Sequence, residues 1–445
     1  MFKKLINFKL GLVTATSFVI ANMIGAGVFT SLGYQLQSTK TVFSVMLLWI
    51  IGGVFALCGS LVYGELGAAM PRSGGEYHYL SKIYHPAVGF LSGWISITVG
   101  FAAPVAAACM AFGIYASSAF PEITPLIYAI SILALLTFIH SFDRFIGSRF
   151  QNVFTLFKIL LIVCLVVCGF VLTSGNPQQI SIMPSHDSWL DIINPAFAIS
   201  LVFVSYAYSG WNASSYIAGE MDNPQKKLPK SLLRGTIIVT ALYFLLNYIF
   251  LYTAPIAELL GQNDVGAISA KHIFGVTGGR IMGILISVLL ISSISSMVFV
   301  GPRVTQVMGE DYSLLSFLAK KNSKKIPVYS ILLQSLISFA LVLTSSFETI
   351  IVYIGFTLNI FTFLTVLGVF IHRYKFKDAV RPYKTWGYPV VPLIFLALML
   401  WIFIGLFIMR PMESLYGLLT VLSGLVVYFF CKYFSSNKKL VTDNH

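Results

Sequence analysis

The chain has 445 residues, of which 57% are apolar and only 10% are charged, whereas a soluble domain carries roughly 25% charged residues. So few charged residues cannot cover so much apolar side chain in water, which excludes a soluble globular protein. The apolar runs are long and continuous and do not alternate with polar residues, so they also exclude a membrane β-barrel. The composition predicts an all-α membrane protein.

Windows of about 20 apolar residues predict twelve transmembrane helices. The predicted spans are Leu10–Tyr34, Val42–Met70, Ala87–Ser118, Pro125–His140, Phe150–Thr173, Asn194–Gly219, Leu232–Pro255, Gly278–Gln306, Val328–Ser345, Thr349–His372, Pro389–Met409 and Leu415–Phe434.

Lysine and arginine are concentrated in alternate loops, beginning with Lys3, Lys4 and Lys9 before the first span. The opposite loops hold only Lys40, Lys271, Arg280 and Arg410. This asymmetry predicts that both termini are cytoplasmic and that the protein is a multi-pass protein of the cell (inner) membrane. It also accounts for the net charge of +13 through anionic inner-leaflet lipids, so no nucleic-acid partner is expected.

Neither the five cysteines nor the seven histidines have the spacing of metal ligands. The spans contain no plausible catalytic triad or pair of carboxylates. We therefore expect no metal, no cofactor and no enzymatic activity. An ion channel is also disfavoured, because no ring of pore elements or selectivity loop is visible.

Two predicted spans are interrupted in mid-membrane, the first at Gly25-Ala26-Gly27 and the sixth at Tyr206–Asn212. Unwound backbone at that depth is tolerated where it lines a cavity. The amides that start the half-helix after Gly25 suit an anion, and freed carbonyl oxygens suit an ammonium group. Together these groups describe a receptor for a free α-amino acid, and glycine breaks at matching positions in two halves point to a transporter site. The alternative is that the glycines serve only close helix packing.

Five segments resemble the amino acid–polyamine–organocation superfamily of transporters. They are Ile24–Phe29, Tyr63–Tyr77, Gly219–Pro229, Gly301–Arg303 and Arg381–Pro389. Within that superfamily, Ala207–Asn212 most resembles the L-type amino acid transporters and their bacterial relatives. The resemblance implies a LeuT-like fold, in which residues 1–173 and 174–372 form inverted repeats of five spans each. Spans 1 and 6 are then discontinuous, and residues 373–445 add two helices and a tail.

The resemblance also implies roles for the residues of the two breaks. The amides of Gly25, Ala26 and Gly27 would hold the substrate carboxylate, and carbonyl oxygens near Ile24, Tyr206 and Ser209 would hold its ammonium group. Tyr206 would close the site from outside, and Glu220 would pair with a basic residue near the inner end. The expected substrate-binding set is Ile24, Gly25, Ala26, Gly27, Tyr206, Ala207, Ser209, Gly210 and Asn212.

Lys158 lies within the fifth span, where a charged side chain is costly unless it is paired or hydrated. The resemblance implies that it replaces a sodium ion between the first, fifth and eighth spans, which argues against sodium coupling. The alternative is that Lys158 extends to the cytoplasmic surface. Glu65 is interpreted either as a proton carrier or as the partner of a basic loop residue. The serines Ser292, Ser293, Ser295 and Ser296 are expected either to line the cavity or to bond backbone and neighbouring helices, and Asn359 is a candidate pathway residue.

These observations predict a permease that moves neutral L-amino acids by alternating access, through Na⁺-independent exchange. Neutral substrates are favoured because no acidic residue lies within either break. A proton-coupled symporter and a cationic amino acid or polyamine exchanger remain alternatives. The lipid bilayer and the amino acid are the expected partners, and the short N-terminal segment favours a chain that works without an obligatory protein partner.

Overall fold

The computed structural model describes residues 9–142, 145–173 and 177–442, with the backbone alone described for residues 145–151 and 435–442. Lys3 and Lys4, on which the orientation prediction partly depends, lie outside the described residues. Within these ranges the chain is helical, and its one β contact is an isolated bridge between Leu10 and Met221.

Twenty α-helices follow one another in the described ranges. They are α1 Leu12–Met23, α2 Ala26–Ser38, α3 Val42–Ala69, α4 Glu76–Ile83, α5 Pro86–Ile95, α6 Ala102–Ala119, α7 Pro125–Phe142, α8 Phe145–Leu172, α9 His186–Ile193, α10 Pro195–Tyr208, α11 Ala213–Tyr216, α12 Pro224–Thr253, α13 Ile256–Leu259, α14 Val265–Val300, α15 Pro302–Asp311, α16 Ser316–Ala319, α17 Val328–Thr344, α18 Phe347–Lys375, α19 Val390–Met409 and α20 Pro411–Thr442.

A helix stands at every one of the twelve predicted spans. In the described part of the chain, ten segments are helical, long and apolar enough to cross a membrane, with α1 and α2 counted as one. The other two predicted spans correspond to α17, which has 17 residues, and to α10, which follows α9 after a bend of 77°. The chain is a multi-pass α-helical membrane protein.

The predicted starts of two helices were the most in error, because a helix need not begin where its apolar part begins. Helix α12 begins at Pro224 rather than Leu232, and its first turns carry Lys226 and Lys227. Helix α14 begins at Val265 rather than Gly278. Gly275 bends α14 at φ +78°. The segment before it contains Lys271 and His272, so the hydropathy window detects only the apolar part that follows.

Helices α1 and α10 occupy the centre of the bundle. Helix α1 packs against α8, α12 and α14, while α10 packs against α2, α3, α18 and α19. Every residue of α10 from Phe197 to Tyr208 is buried. The pairing of α1 with α8 matches that of α10 with α18, as two repeats would require, although the division into residues 1–173, 174–372 and 373–445 stays a prediction.

The two ends of the bundle differ in charge. Helix α18 carries Glu348 in its first turn and Arg373 in its last turn, so these residues mark opposite ends. Arg373 contacts Glu65 at the end where α3 finishes, and we name this the basic end. Arg410 pairs with Glu348 at the opposite end, with 2.5 Å between Nη2 and Oε1. Which end faces the cytoplasm stays a prediction.

Candidate binding site between the two helix breaks

The first break separates α1 from α2 at the predicted position. Ile24 has ψ 86° and Gly25 is extended at φ −127°, so the helical hydrogen bonds are interrupted there. The amide of Gly25 donates to the carbonyl oxygen of Met23 over 2.8 Å, which engages one of the three amides expected to bind a carboxylate. The amides of Ala26 and Gly27 begin α2 and have no acceptor among the described residues, as is usual for the first turn of a helix.

The second break follows Tyr208, where α10 ends. Ser209 has ψ 152° and Gly210 has φ +93°, a backbone conformation that glycine adopts at little cost. The chain then turns through Trp211 and Asn212 into the short helix α11. The carbonyl oxygen of Ser209 accepts no hydrogen bond from the described backbone, whereas that of Tyr206 accepts one from the amide of Ser209 at 2.9 Å.

Glycine permits the two breaks to touch. A Cβ atom on Gly27 would lie 2.6 Å from the Cα of Ala207, and one on Gly210 would lie 2.7 Å from the Cβ of Asn22. Gly27 and Gly210 therefore do serve close packing between the two breaks, and their role in binding stays a prediction. Gly25 differs, because its Cβ would meet no atom closer than Ser293 Oγ at 3.7 Å.

Lys158 enters the first break from α8. Its side chain is fully buried, and Nζ donates to the carbonyl oxygens of Ile24 at 2.8 Å and Ala21 at 3.1 Å and to Ser293 Oγ at 2.6 Å. The side chain therefore joins α8, α1 and α14, and the alternative that it extends to the membrane surface is wrong. A buried ammonium requires such a complete set of acceptors.

The Lys158 contacts change one expectation about the substrate. Ile24 O, expected to bind the substrate ammonium group, accepts from both Lys158 and Ser293 Oγ, the latter at 2.7 Å. A carbonyl oxygen has two lone pairs, so this one is already engaged. Tyr243 OH lies within hydrogen-bonding distance of Met23 O and, at 3.0 Å, of Ala207 O, so its single proton is shared between the two breaks and ties them together.

The serines of α14 bond to their neighbours. Ser293 binds the first break, Ser295 Oγ lies 2.8 Å from His140 Nε2 of α7, and Ser296 accepts from Asn22. For these three serines the bonding interpretation is the one observed.

A cavity lies beside the second break. Its wall contains three of the nine predicted binding residues, Ser209, Gly210 and Asn212. The other six, Ile24, Gly25, Ala26, Gly27, Tyr206 and Ala207, are not part of this wall. The rest of the lining described by the structure is Asn22, Phe55, Glu76, Ser96, Gly100, Phe101, Pro104, Ser205, Trp211, Ala213, Tyr216, Met297, Leu358, Asn359 and Thr362.

Two polar residues of this wall stand out. Asn359 was expected in the pathway, and its side-chain nitrogen is buried with no hydrogen-bond partner among the described residues. Glu76 was missed, because it lies between two apolar spans and reads as a loop residue in the sequence. In the fold, α4 turns back into the bundle, and Glu76 is only 2% exposed. A carboxyl group therefore does lie in the cavity wall, although none lies within the breaks.

Each end of the bundle has its own closing contacts. At the basic end, Arg303 Nε lies 3.1 Å from Glu220 Oε1, and Arg72 binds Asp311 with both terminal nitrogens. Glu220 thus has the basic partner expected of it.

The opposite end carries aromatic contacts instead. The ring of Tyr206 lies edge-on to that of Phe347, with 6.5 Å between the centroids. Tyr34 stacks on Phe203 at 4.9 Å and on Phe347 at 6.5 Å. These four rings, Tyr34, Phe203, Tyr206 and Phe347, are named the aromatic cluster.

Glu65 is a carboxylate whose two oxygens are both engaged by protein donors. Both its oxygens accept from Arg373, at 2.8 and 2.6 Å, and Oε2 also accepts from the amide of Thr385 at 2.7 Å. Arg381 Nε lies 3.8 Å away. Glu65 therefore fastens the loop before α19 to α3, in agreement with its interpretation as the partner of a basic residue.

Two broken helices that meet inside a bundle, with a polar cavity beside one of them, define the class of membrane transporters with an internal site. The sequence model of the family described as "Amino acid permease" matches residues 10–431. The chain belongs to this amino acid permease family, within the superfamily that the motifs resemble.

Curated relatives are similar over almost the whole chain. The human b(0,+)-type amino acid transporter 1 is 28% identical over 433 residues, covering 95% of this chain and 87% of the relative. The rabbit (Oryctolagus cuniculus) large neutral amino acids transporter small subunit 2 is 29% identical, with 98% and 82% covered. The mouse Asc-type amino acid transporter 1 is 27% identical, with 97% and 83% covered. The chain is thus an amino acid permease, similar to several transporter types.

Proposed function

We propose that this permease moves neutral L-amino acids across the cell membrane by Na⁺-independent exchange. The observation that carries the proposal is Lys158, whose Nζ occupies a set of oxygen acceptors formed by Ala21, Ile24 and Ser293. Carbonyl and hydroxyl oxygens between helices are the usual ligands of a sodium ion in this kind of transporter. A permanent ammonium group at such a place supplies the positive charge without a diffusible ion.

The substrate backbone would bind between the breaks. The unoccupied amides of Ala26 and Gly27 stand at the positive end of α2 and suit the carboxylate. The Ser209 carbonyl oxygen suits the ammonium group, and the unpartnered Asn359 amide supplies a further donor. The site around these groups is shaped by Gly25, Tyr206, Ala207, Gly210 and Asn212. Binding of this kind requires the cavity to extend from the second break to the first. The ligand would favour the conformation in which the cavity does so.

The side chain of the substrate would face apolar rings. Phe55, Phe101 and Trp211 line the cavity together with Leu358 and Met297, and such a surface favours neutral side chains. Two alternatives are retained. Glu76 in the same wall favours a cationic amino acid or polyamine exchanger, and it equally favours proton-coupled symport.

Alternating access would move a bundle of α1–α3 and α10–α12 against the remaining helices. Opening at the basic end requires the Glu220–Arg303 ion pair to separate. Opening at the opposite end requires Tyr206 to leave Phe347 in the aromatic cluster. We propose that the basic end faces the cytoplasm, with both termini on that side, and that residues 1–173 and 174–372 are the inverted repeats.

Purified protein reconstituted in liposomes tests the proposal directly. Uptake of radiolabelled amino acids is measured with and without amino acid inside, with and without sodium, and with and without a pH gradient. We expect uptake of neutral amino acids only into preloaded vesicles, unaffected by sodium. Because a single chain is reconstituted, activity would also establish that no obligatory protein partner is needed.

Other outcomes discriminate the alternatives. Sodium-driven uptake would contradict the role of Lys158, and concentrative uptake into empty vesicles under a proton gradient would identify a symporter. Preference for arginine, lysine or a polyamine would identify the cationic exchanger. Uptake of no amino acid would reject the proposed function.

A further inference from the structure

Glu76 is a buried carboxyl group with donors on several elements and no cationic partner among the described residues. Its Oε1 accepts a hydrogen bond from Tyr63 OH of α3, another from Thr362 Oγ1 of α18 at 2.9 Å, and a longer one from Asn212 Nδ2 at 3.4 Å. No lysine, arginine or histidine forms an ion pair with it in the described part of the chain. An ionised carboxyl group in such a place is costly unless it is fully hydrogen-bonded.

In the part of the chain that the structure describes, the titratable groups that face Glu76 are phenols. Tyr63 approaches from α3, Tyr79 from its own helix, and Tyr216 from α11. Each of these phenols is neutral near pH 7 and can donate a hydrogen bond but cannot neutralise a carboxylate. Burial raises the pKa of Glu76 to about 7, although the donated hydrogen bonds act in the opposite direction.

Glu65 provides an internal contrast within the same fold. It is also fully buried, but Arg373 neutralises it through two short hydrogen bonds. A carboxylate with a fixed guanidinium partner has little reason to bind a proton near neutral pH. Glu65 is therefore a carboxylate with a structural role, whereas Glu76 is free to titrate.

The partners of Glu76 lie on both sides of the proposed moving boundary. Tyr63 and Asn212 belong to the bundle of α1–α3 and α10–α12, whereas Glu76 itself and Thr362 belong to the remaining helices. Movement of the bundle would withdraw two donors from the carboxyl group. Because those donors stabilise the ionised form, its proton affinity must then differ between the conformations, and by linkage proton binding changes their balance.

We propose that Glu76 is a proton-binding site of the permease, and that protonation of its carboxylate releases the bundle at α4 and so accelerates transport. The proton comes from water that enters the cavity on one side and returns to water when the carboxyl group ionises again. This inference rests on the proposed alternating access but not on which amino acid is carried. Hydrogen bonds to a neutral carboxyl group are weaker than those to a carboxylate, which is why protonation favours separation.

The first test is the pH dependence of uptake in proteoliposomes between about pH 5.5 and pH 8.5, with equal pH on both sides. Wild-type uptake should increase severalfold as the pH falls through about 7. Glu76→Gln, which resembles the protonated form, should show a flat profile. Thr362→Val removes one donor to the carboxylate and should move the midpoint upward by about one pH unit. Glu122→Gln changes an exposed carboxyl group and should keep the wild-type profile.

Thermal unfolding in detergent provides a second readout that does not need transport. In the unfolded chain Glu76 has an ordinary pKa of about 4.3, so the folded state binds the proton more tightly. Its contribution to stability is complete below that pH and is lost as the pH rises through about 7. The melting temperature of the wild type should therefore fall over this range relative to that of Glu76→Gln.

Two results would overturn the inference while leaving the permease function intact. One is that Glu76→Gln keeps the wild-type pH profile of uptake, and the other is that the melting temperatures of the two proteins change with pH in parallel. Absence of uptake in every variant with a pH-dependent difference in melting would instead reject the proposed function and keep the proton site. An effect of Glu76→Gln that is confined to cationic substrates and independent of pH would assign the carboxylate to side-chain recognition and would also overturn the proposal.

Discussion

The two helix breaks contain similar residues, but different groups bind their freed backbone atoms. In the first break, the freed carbonyl oxygens of Ala21, Met23 and Ile24 are engaged by Lys158, Ser293 and Tyr243. In the second break, Ser209, Gly210 and Asn212 face a cavity. The contrast shows that unwinding a helix creates polar backbone, and that neighbouring helices decide whether this backbone is satisfied internally or left for a ligand.

The contact between the breaks gives the largest expected effect. Gly210→Ala would place a Cβ atom about 2.7 Å from Asn22 on a residue with φ +93°, so the substitution is both crowded and strained. We expect uptake to fall about tenfold or more, with a melting temperature several degrees lower.

Gly25→Ala is the matched substitution in the other break. Gly25 has a negative φ and no neighbour closer than 3.7 Å, so the melting temperature in detergent should stay close to that of the wild type. Equal destabilisation by the two substitutions would show that the breaks are not packed differently.

Lys158→Ala tests whether the carbonyl oxygens of the first break need the lysine as a donor. The substitution leaves the Ala21 carbonyl oxygen without its buried donor and removes one of the two donors to the Ile24 carbonyl oxygen, which Ser293 Oγ still contacts. An unsatisfied buried group costs about 1–3 kcal/mol. Uptake should fall about tenfold. Lys40→Ala, which changes an exposed lysine, should be neutral in the same uptake assay. Full activity of Lys158→Ala would mean that the first break does not depend on a fixed cation.

Tyr243→Phe tests the connection between the breaks. The lost hydroxyl contacts both Met23 O and Ala207 O with one proton to donate, and removing such a bond costs about 1 kcal/mol, or about fivefold in rate. We expect a lower maximal exchange rate with a smaller change in the apparent affinity. Tyr329→Phe alters an exposed ring and serves as the control. A change in affinity alone would place Tyr243 in substrate binding rather than in linking the breaks.

Ser209→Gly gives the smallest expected effect and concerns the second break, which faces the cavity. Ser209 lines the cavity, so its side chain takes up space there. Removing the hydroxymethyl group enlarges the cavity, so uptake should shift by about two- to threefold toward larger neutral amino acids. The ratio of leucine to alanine uptake measures this shift. A decrease in that ratio would show that Ser209 does not limit substrate size.

Prediction from the sequence succeeded where the signal is local along the chain. Hydropathy located a helix at all twelve predicted spans, and glycine located both breaks. It failed at the start of α14, where Gly275 divides a segment that contains Lys271 and His272 from the apolar one. Glu76 was missed for a related reason, since a residue between two spans carries no sign that its helix turns back into the bundle.

The sequence by itself determined the membrane class, the order of the helices and the places where they break, because apolar length and glycine act through the local backbone. The tertiary structure alone decided what each break contacts. Lys158 reaches the first break because α8 packs against α1, and Glu76 meets Tyr63, Asn212 and Thr362 because four separate elements converge there. Contacts between residues far apart in sequence depend on packing, and no pattern within one span encodes them.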